Sequence, residues 1–335
     1  MLARLIALSL ACGLLTAPSA ADPYPTRPVR WVVPFPPGGA TDVLARIMAQ
    51  YLTERLGQPV VIENRPGAAT NIGTQAVINS PPDGHTLLLV VTSNTVNATF
   101  YQSLPFNFLR DIAPVGGFTA QPLVIVASPS LPMRTMPELI AQAKANPGKV
   151  NMASFGTGTV SHLAIELLKL SAGINLTHVP YRGGAPMVTD ILGGAVPLGI
   201  DALPNSLPHI ERGSLRALAV LSAQRSPRMP DVPTVGETVP GYEVSGIIGL
   251  GVPSGTPRAI IERLNRELNA GLADPAIKAR LAELGAVGVP IGTPSPIMPL
   301  TSYPGTVSPT VGTSGIRGER CALSTASARS EPRSM

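Results

Sequence analysis

The chain has 335 residues, of which 44% are hydrophobic and only 13% are charged, and its formal net charge is +5. This length predicts two domains, and the low content of charged residues excludes disorder in the main body. Part of the positive charge lies near the two ends of the chain. No run of Lys and Arg is interleaved with aromatic residues, so a surface for nucleic acid is not indicated.

The first 21 residues are typical of an export signal. Arg4 precedes an apolar run over residues 5–15, and small residues follow as far as Ala21. Because the run is too short to span a membrane, we expect cleavage after Ala21 and an exported protein. A lipoprotein attached through Cys12 is an alternative, although Ser9 stands where a lipobox requires an aliphatic residue. One further cysteine, near the end of the chain, is too few for a disulfide framework.

Two glycines follow the first predicted strand. Val29–Val33 is a mainly β-branched run, and apolar residues recur with a helical period over residues 43–56. Gly38 and Gly39 therefore lie on a strand-to-helix turn, where glycine accepts a positive φ and has no Cβ to block a ligand. The unpaired N–H groups and the positive dipole end of the helix favour an anion there. The alternative is a tight turn with an ordinary helix cap from residue 41 or 42.

The remainder of the chain alternates apolar runs with amphipathic stretches. Further strands are predicted at residues 60–63, 86–91, 123–127, 150–154, 176–179, 198–202, 215–221 and 242–250. Further helices are predicted at residues 136–145, 163–170, 187–192, 257–272 and 274–284. This order indicates two α/β units with parallel sheets covered on both faces, in which ligands bind outside the carboxyl ends of the strands. Each unit is led by a glycine loop, so two anion-favouring loops can face each other across a cleft.

Other binding and catalytic motifs are incomplete. Gly156-x-Gly158 with Ser161 resembles a dinucleotide fingerprint, but residues 178–179 are not acidic, as that fingerprint requires. The four histidines lack metal-ligand spacing, so we predict neither a metal nor a cofactor. Ser161 and His162 are adjacent, which prevents an ordinary nucleophile–base pair. The cleft therefore suits binding better than catalysis.

Several ordered motifs run from about residue 24 to residue 294. They are Pro34-Phe35-x-Pro37-Gly38-Gly39-x-x-Asp42, Glu63-Asn64-Arg65-x-Gly67, Pro82-Asp83-Gly84, Ser154-x-Gly156-x-Gly158-x-x-x-His162-Leu163 and His178-Val179-Pro180-Tyr181-Arg182-Gly183-Gly184. In this order they resemble the motifs of the Bug-type solute receptors. Those receptors are the periplasmic binding components associated with tripartite tricarboxylate transporters.

The resemblance implies an α/β fold of the type II periplasmic-binding-protein kind, with two doubly wound domains and a ligand cleft between them. After the signal at residues 1–21, residues 22–126 and 229–294 would form domain 1 and residues 127–228 domain 2. The family helix expected after residue 294 is missing, because prolines interrupt every turn. We therefore predict that residues 295–335 form a disordered tail unlike that of the family.

The resemblance also implies that a ligand carboxylate is held between the two glycine loops by backbone N–H groups and ordered water. By motif match, the first loop contributes Phe35, Gly38, Gly39, Thr41 and Asp42. The second loop contributes Ser154, Gly156, Gly158, Ser161 and His162. Looser matches add Thr92, Tyr181 and Asp201.

The function implied is that of a periplasmic, non-enzymatic and monomeric receptor for a small carboxylate, namely a di- or tricarboxylate, an acidic amino acid or an aromatic acid. Closure of the two lobes about Ala127 and Gly246 would bury this ligand. The expected partners are the membrane subunits of a tripartite tricarboxylate-type transporter. Two alternatives remain open. One is a secreted enzyme that acts on a carboxylate in the same cleft, and the other is a ligand-sensing subunit for a membrane signalling partner.

Overall fold

The computed structural model describes residues 24–290. The predicted export signal and the predicted tail from residue 295 lie outside the described residues. The strands are β1 Val29–Val33, β2 Val60–Asn64, β3 Thr86–Val91, β4 Ile112–Ala127, β5 Asn151–Ser154, β6 Thr177–Pro180, β7 Leu198–Ala202, β8 Arg216–Val220, β9 Ser245–Pro253 and β10 Val287–Gly288. The helices are α1 Ala40–Leu56, α2 Asn71–Ile78, α3 Thr92–Phe100, α4 Phe108–Asp111, α5 Met136–Ala145, α6 Val160–Ala172, α7 Gly184–Leu192, α8 Leu203–Glu211, α9 Arg258–Ala273 and α10 Pro275–Glu283.

The described strands form one sheet with the order β2-β1-β3-β9-β4-β7-β5-β6, and β8 and β10 also pair with β4. The two ends of the sheet are parallel, because β1 pairs with β2 and β3 and β5 pairs with β6 and β7 in this sense. The middle is antiparallel, because β9 and β4 run against their neighbours. The prediction of parallel sheets is therefore right at the two ends and wrong in the middle, where β9 returns from the second half of the chain.

Strand β4 connects the two halves of the sheet. Its first part pairs with β9 from Ile112 to Pro122, and its last part pairs with β7 from Leu123 to Ala127. The sequence predicts only this last part as a strand, because the first part contains glycines, prolines and register shifts near Pro114 and Gly117 that obscure the pattern. Helix α3 also begins at Thr92, where the sequence predicts no helix, and α8 is not predicted because it contains two prolines.

Both faces of the sheet are buried. Trp31 and its alternate neighbours in β1 pack with α1 and α9, whereas Val32 faces α2 and α4. In the second half, Ile125 and Val126 of β4 likewise lie in different hydrophobic clusters. This period of two explains why these strands read as continuous apolar runs. Each large apolar side chain buried in this way stabilises the fold by about 1.5–3 kcal/mol.

Helix α1 shows how local sequence fixes the position of the site. Leu44, Met48 and Leu52 recur at a spacing of one turn and are fully buried against the sheet. The helix ends at Gly57, whose φ of 74° is left-handed and whose N–H donates to the carbonyl of Thr53. Within residues 24–290, no helix is long and apolar enough to cross a membrane. The domain boundaries after residues 126 and 228 stay predictions.

Candidate functional site

Five helices of the described chain begin around one small cavity at the carboxyl ends of the strands. The cavity is lined by residues at the first turn or the N-cap of each helix, namely Ala40 of α1, Thr92 of α3, Val160 of α6, Gly184 of α7 and Ala202 before α8. The N–H groups that begin α1, α6, α7 and α8 donate to no N-cap side chain, and the N-caps of α1 and α7 are glycines. Each helix end carries roughly half a positive charge, so together they favour an anion.

The cavity has a volume of about 40 Å³, enough for roughly three water molecules. A larger cleft of about 590 Å³ lies outside it and is lined by loop residues 66–70, 155–157 and 180–182. Phe35 and Phe155 line both spaces, and their rings meet edge to face with centroids 6.4 Å apart. These two rings therefore stand at the boundary between the cavity and the outer cleft.

The first glycine loop, residues 34–42, is held in place by Asp42. Its carboxylate is buried and accepts hydrogen bonds from the Gly38 N–H at 2.9 Å, from Asn64 Nδ2 at 2.9 Å and from the Arg46 guanidinium. Burial alone would raise the pKa of Asp42, but these bonds outweigh it and hold the pKa below its ordinary value. Asp42 therefore positions the loop, and it does not line the cavity.

The two glycines of this loop differ in conformation. Gly38 has the predicted positive φ of +82°, whereas Gly39, the N-cap of α1, has a φ of −82°. The prediction of a positive φ is therefore wrong for Gly39, and neither Thr41 nor Asp42 is the helix cap. Thr41 lies in the first turn of α1 and lines the cavity together with Gly39.

Gly39 faces the start of α7, at residues 183–185. A Cβ on Gly39 would lie 3.9 Å from the backbone nitrogen of Ala185, and a Cβ on Gly183 would lie 2.9 Å from Pro36 Cδ. Gly183 also has a φ of +142°, which favours glycine. The glycine turn within the Tyr181–Gly184 motif is the sequence signal for this contact, although the predicted site includes only Tyr181 from it.

The second glycine loop, residues 154–162, uses its backbone donors internally. Ser161 Oγ accepts from the Phe155 N–H at 3.1 Å, and Ser154 Oγ accepts from the Gly156 N–H at 3.2 Å. His162 Nδ1 accepts from the Gly158 N–H at 3.2 Å. These hydroxyl and imidazole groups therefore shape the loop, and they do not line the cavity.

A pair of stacked histidines supports this loop. The rings of His162 and His178 are 4.2 Å apart, and Ser154 Oγ lies 2.6 Å from His178 Nε2. Burial, together with the repulsion of His162, lowers the pKa of His178 to about 4, so its ring is neutral at pH 7. Ser154 is fully buried and cannot present its hydroxyl to a substrate, although the Ser–His contact resembles part of a hydrolase site.

The side chains of Asp201 and Gln121 place a carboxylate and an amide in the cavity wall. Asp201 is fully buried, and its Oδ2 accepts from Asn205 Nδ2 at 2.7 Å and from Ser206 Oγ. Its Oδ1 and the Nε2 of Gln121 have no hydrogen-bond partner among the described residues. Burial raises the pKa of Asp201 to about 6, although its hydrogen bonds partly offset this effect.

The predicted site residues thus separate by position. Those that line the cavity are Phe35, Gly39, Thr41, Thr92 and Asp201. Those that line the outer cleft are Phe35, Gly156 and Tyr181, whose hydroxyl donates to Asp190. Those that line neither space are Gly38, Asp42, Ser154, Gly158, Ser161 and His162.

Sequence reasoning did not identify several residues of the cavity wall, including Ser93, Gln121, Gly184 and Ala185. The paired glycines of the Tyr181–Gly184 motif could have identified Gly184 as a site residue. Gln121 carries no such motif, because it lies in the part of β4 that the sequence does not predict as a strand. No cluster of three or more His, Cys, Asp or Glu side chains in residues 24–290 is placed to hold a metal ion.

A two-lobe α/β fold with helix N-termini gathered around a cavity at the strand ends defines a binding protein of the periplasmic type. The model of the tripartite tricarboxylate transporter family receptor matches residues 44–290. The chain belongs to this family. BugT of Bordetella pertussis is 43% identical over 296 residues, which cover 88% of this chain and 90% of BugT.

Solved structures of similar proteins agree with this assignment. Rpa4515 of R. palustris with adipate has a TM-score of 0.77 and 38% identity, covering 79% of this chain and 89% of that one. The periplasmic binding protein BugD has a TM-score of 0.76 and 37% identity, with coverage of 79% and 89%. MatC from Rhodopseudomonas palustris with bound malate has a TM-score of 0.74 and 32% identity, with coverage of 79% and 90%.

Proposed function

We propose that this chain is a periplasmic receptor that captures a small carboxylate and delivers it to a tripartite tricarboxylate-type transporter. The observation that carries the proposal is the convergence of five helix N-termini on one cavity, because their N–H groups neutralise a carboxylate without a bound cation. The adipate and malate bound by two similar proteins belong to this class of ligand. The predicted export signal supports the periplasmic location.

In this proposal the start of α1, with Gly39 and Thr41, contacts the carboxylate together with Thr92 and the first turn of α7. The residues that line neither space act by positioning the loops. The outer cleft admits the ligand when the lobes move apart about β4 and β9, and their closure restores the contact between Phe35 and Phe155 over the bound ligand. A receptor of this kind requires no cofactor and acts as a monomer.

Two observations favour a receptor over a secreted enzyme. The Ser154–His178 pair is the arrangement closest to a nucleophile and its base at the loops, and it is buried behind the second glycine loop. The cavity wall does carry the hydroxyl groups of Thr41, Thr92 and Ser93. The described residues that line it include no His, Lys or Cys, so no histidine or lysine base stands beside these hydroxyl groups. A sensor subunit would bind ligand in the same way, so capture of the membrane partner from solubilised membranes separates it from a transport receptor.

Calorimetric titration of the protein with a broad panel of carboxylates tests the proposal. We expect at least one acid to bind, and to stabilise the folded protein by about 2.7 kcal/mol when present at 100 times its dissociation constant. Uncharged amides of the same acids serve as controls and should not bind. If no acid in the panel gives either heat or a shift in melting temperature, the proposed function is wrong.

A further inference from the structure

The carboxylate of Asp201 has one oxygen anchored and one oxygen free. Asn205 and Ser206 both donate to Oδ2, and both lie in the first turn of α8, so they fix the orientation of the carboxylate. Oδ1 has no hydrogen-bond partner among residues 24–290, although the side chain is completely buried. A Cβ on Gly184 would lie only 2.8 Å from this oxygen, so Oδ1 lies against the start of α7, and both Asp201 and Gly184 line the cavity.

A second unsatisfied group lines the same cavity. Gln121 lies on β4 opposite Gly246 of β9, and only 5% of it is exposed. Its Nε2 donates to no described residue. Buried polar groups in native proteins are normally hydrogen-bonded, so two such groups in one cavity indicate partners that a ligand supplies. The cavity wall therefore contains an acceptor at Asp201 and a donor at Gln121 whose hydrogen bonds no described residue satisfies.

These two groups set opposite requirements for a ligand. The helix N-termini and Gln121 favour the oxygens of a carboxylate. The Asp201 carboxylate repels any second anion placed beside it, and it accepts a hydrogen bond from an N–H or O–H group. Because Asp201 and the helix N-termini line the same small cavity, a group of the ligand that meets Asp201 lies close to the ligand carboxylate.

We infer that Asp201 makes this receptor selective for carboxylates that carry a hydrogen-bond donor, an ammonium or a hydroxyl group, on the carbon beside the carboxylate. The inference rests on the proposed function, because it requires a carboxylate in this cavity. The ligands of similar proteins do not establish this selectivity for the present chain. Malate, bound by one of them, has such a hydroxyl group, whereas adipate, bound by another, has no such donor. Asp201 is thus a specificity-determining residue, and the helix N-termini supply the general affinity for anions.

Matched ligand triplets test this inference by calorimetry at pH 7.5. Each triplet comprises an acid and its 2-hydroxy and 2-amino derivatives: succinate, malate and aspartate; adipate, 2-hydroxyadipate and 2-aminoadipate; 3-phenylpropanoate, phenyllactate and phenylalanine. We expect a substituted acid to bind at least tenfold more tightly than its unsubstituted parent. Comparing the 2-hydroxy with the 2-amino member identifies which donor Asp201 prefers.

The variant Asp201→Asn keeps the shape of the side chain but can direct an N–H group into the cavity. We expect the preference for the substituted acid to fall at least tenfold in this variant, while the parent acid binds as well or better. The control Asp231→Asn removes one exposed carboxylate elsewhere and should leave the preference unchanged. Circular dichroism establishes that both variants are folded, and the wild-type preferences test the inference even if Asp201→Asn does not fold.

Two outcomes would overturn the inference about Asp201 while leaving the proposed receptor function intact. One is that acids bind but parent and substituted members bind equally, and the other is that folded Asp201→Asn retains the full preference. If no acid of any triplet and none of the broader panel binds, the proposed function itself fails. The two failures are therefore distinguishable.

Discussion

The first glycine loop, residues 34–42, and the second, residues 154–162, both leave a strand and enter a long helix through glycines. In the first loop a single N–H, that of Gly38, is bound by a side chain of the loop, and the residues from Gly39 to Thr41 line the cavity. In the second loop three N–H groups are bound by Ser161, Ser154 and His162. Glycine spacing therefore permits an anion site, and the neighbouring hydroxyl and imidazole groups decide whether the donors remain free for a ligand.

Among the substitutions that test this difference between the two loops, Gly39→Val should have the largest effect on ligand affinity. Its side chain would meet the first turn of α7, because a Cβ at residue 39 would itself lie 3.9 Å from the Ala185 nitrogen, and it would occupy the cavity. Because φ is −82° at Gly39, the backbone accepts valine and the fold should persist. We expect affinity for any bound carboxylate to fall at least 100-fold, measured by calorimetry, with an unchanged circular dichroism spectrum.

The matched change in the second loop is Gly158→Ala. Its φ of +77° makes alanine unfavourable, so the protein should lose about 1–2 kcal/mol of stability, measured by urea denaturation. Its affinity should change less than about threefold, because Gly158 lines neither space. Loss of binding in a folded Gly158→Ala protein, or retention of binding in Gly39→Val, would reverse our assignment of the two loops.

A smaller effect is expected when Asp42 is replaced by alanine. This change leaves the Gly38 N–H, Asn64 and Arg46 without their buried acceptor, which should lower the free energy of unfolding by about 1–3 kcal/mol. Because Asp42 acts on the loop and not on the ligand, affinity should fall about tenfold. Asp42→Asn retains part of the bonding and should recover part of both losses. If Asp42→Ala binds as tightly as wild type, then Asp42 does not position the loop for binding.

The sequence predicts the strands and helices that carry regular apolar patterns, including β1, β3 and α1. Sequence-based prediction fails where a strand or helix lacks a regular apolar pattern and is held by tertiary contacts. Examples are the glycine-containing first part of β4 and the start of α3 at Thr92. The position of Asp201 at a strand end could be predicted, because β7 is a short apolar run. The presence of Gln121 in the same cavity wall could not, because it depends on β4 crossing from one half of the sheet to the other.

The smallest predicted effect concerns the pH dependence of stability. As the pH falls, His178 behind the second loop and Asp201 in the cavity wall change the free energy of unfolding in opposite directions. The pKa of His178, behind the second loop, is lowered to about 4 by burial and by His162. The unfolded chain, with an ordinary pKa near 6.5, therefore binds more protons at this group between about pH 4 and 6.5. This contribution to stability is complete above about pH 6.5 and is lost as the pH falls towards 4.

Asp201, in the cavity wall, has the opposite sign. Its pKa is raised to about 6 by burial, so the folded chain binds the extra proton between about pH 4 and 6, and its contribution is lost as the pH rises. Urea midpoints of the ligand-free protein from pH 4.5 to 7.5 should therefore show a weaker acid dependence for His178→Gln than for wild type. Asp201→Asn should show a stronger one, each differing by on the order of 1 kcal/mol across the range. Since all other titrating groups are common to the three proteins, parallel curves would show that neither burial nor the histidine stack perturbs these two groups in solution.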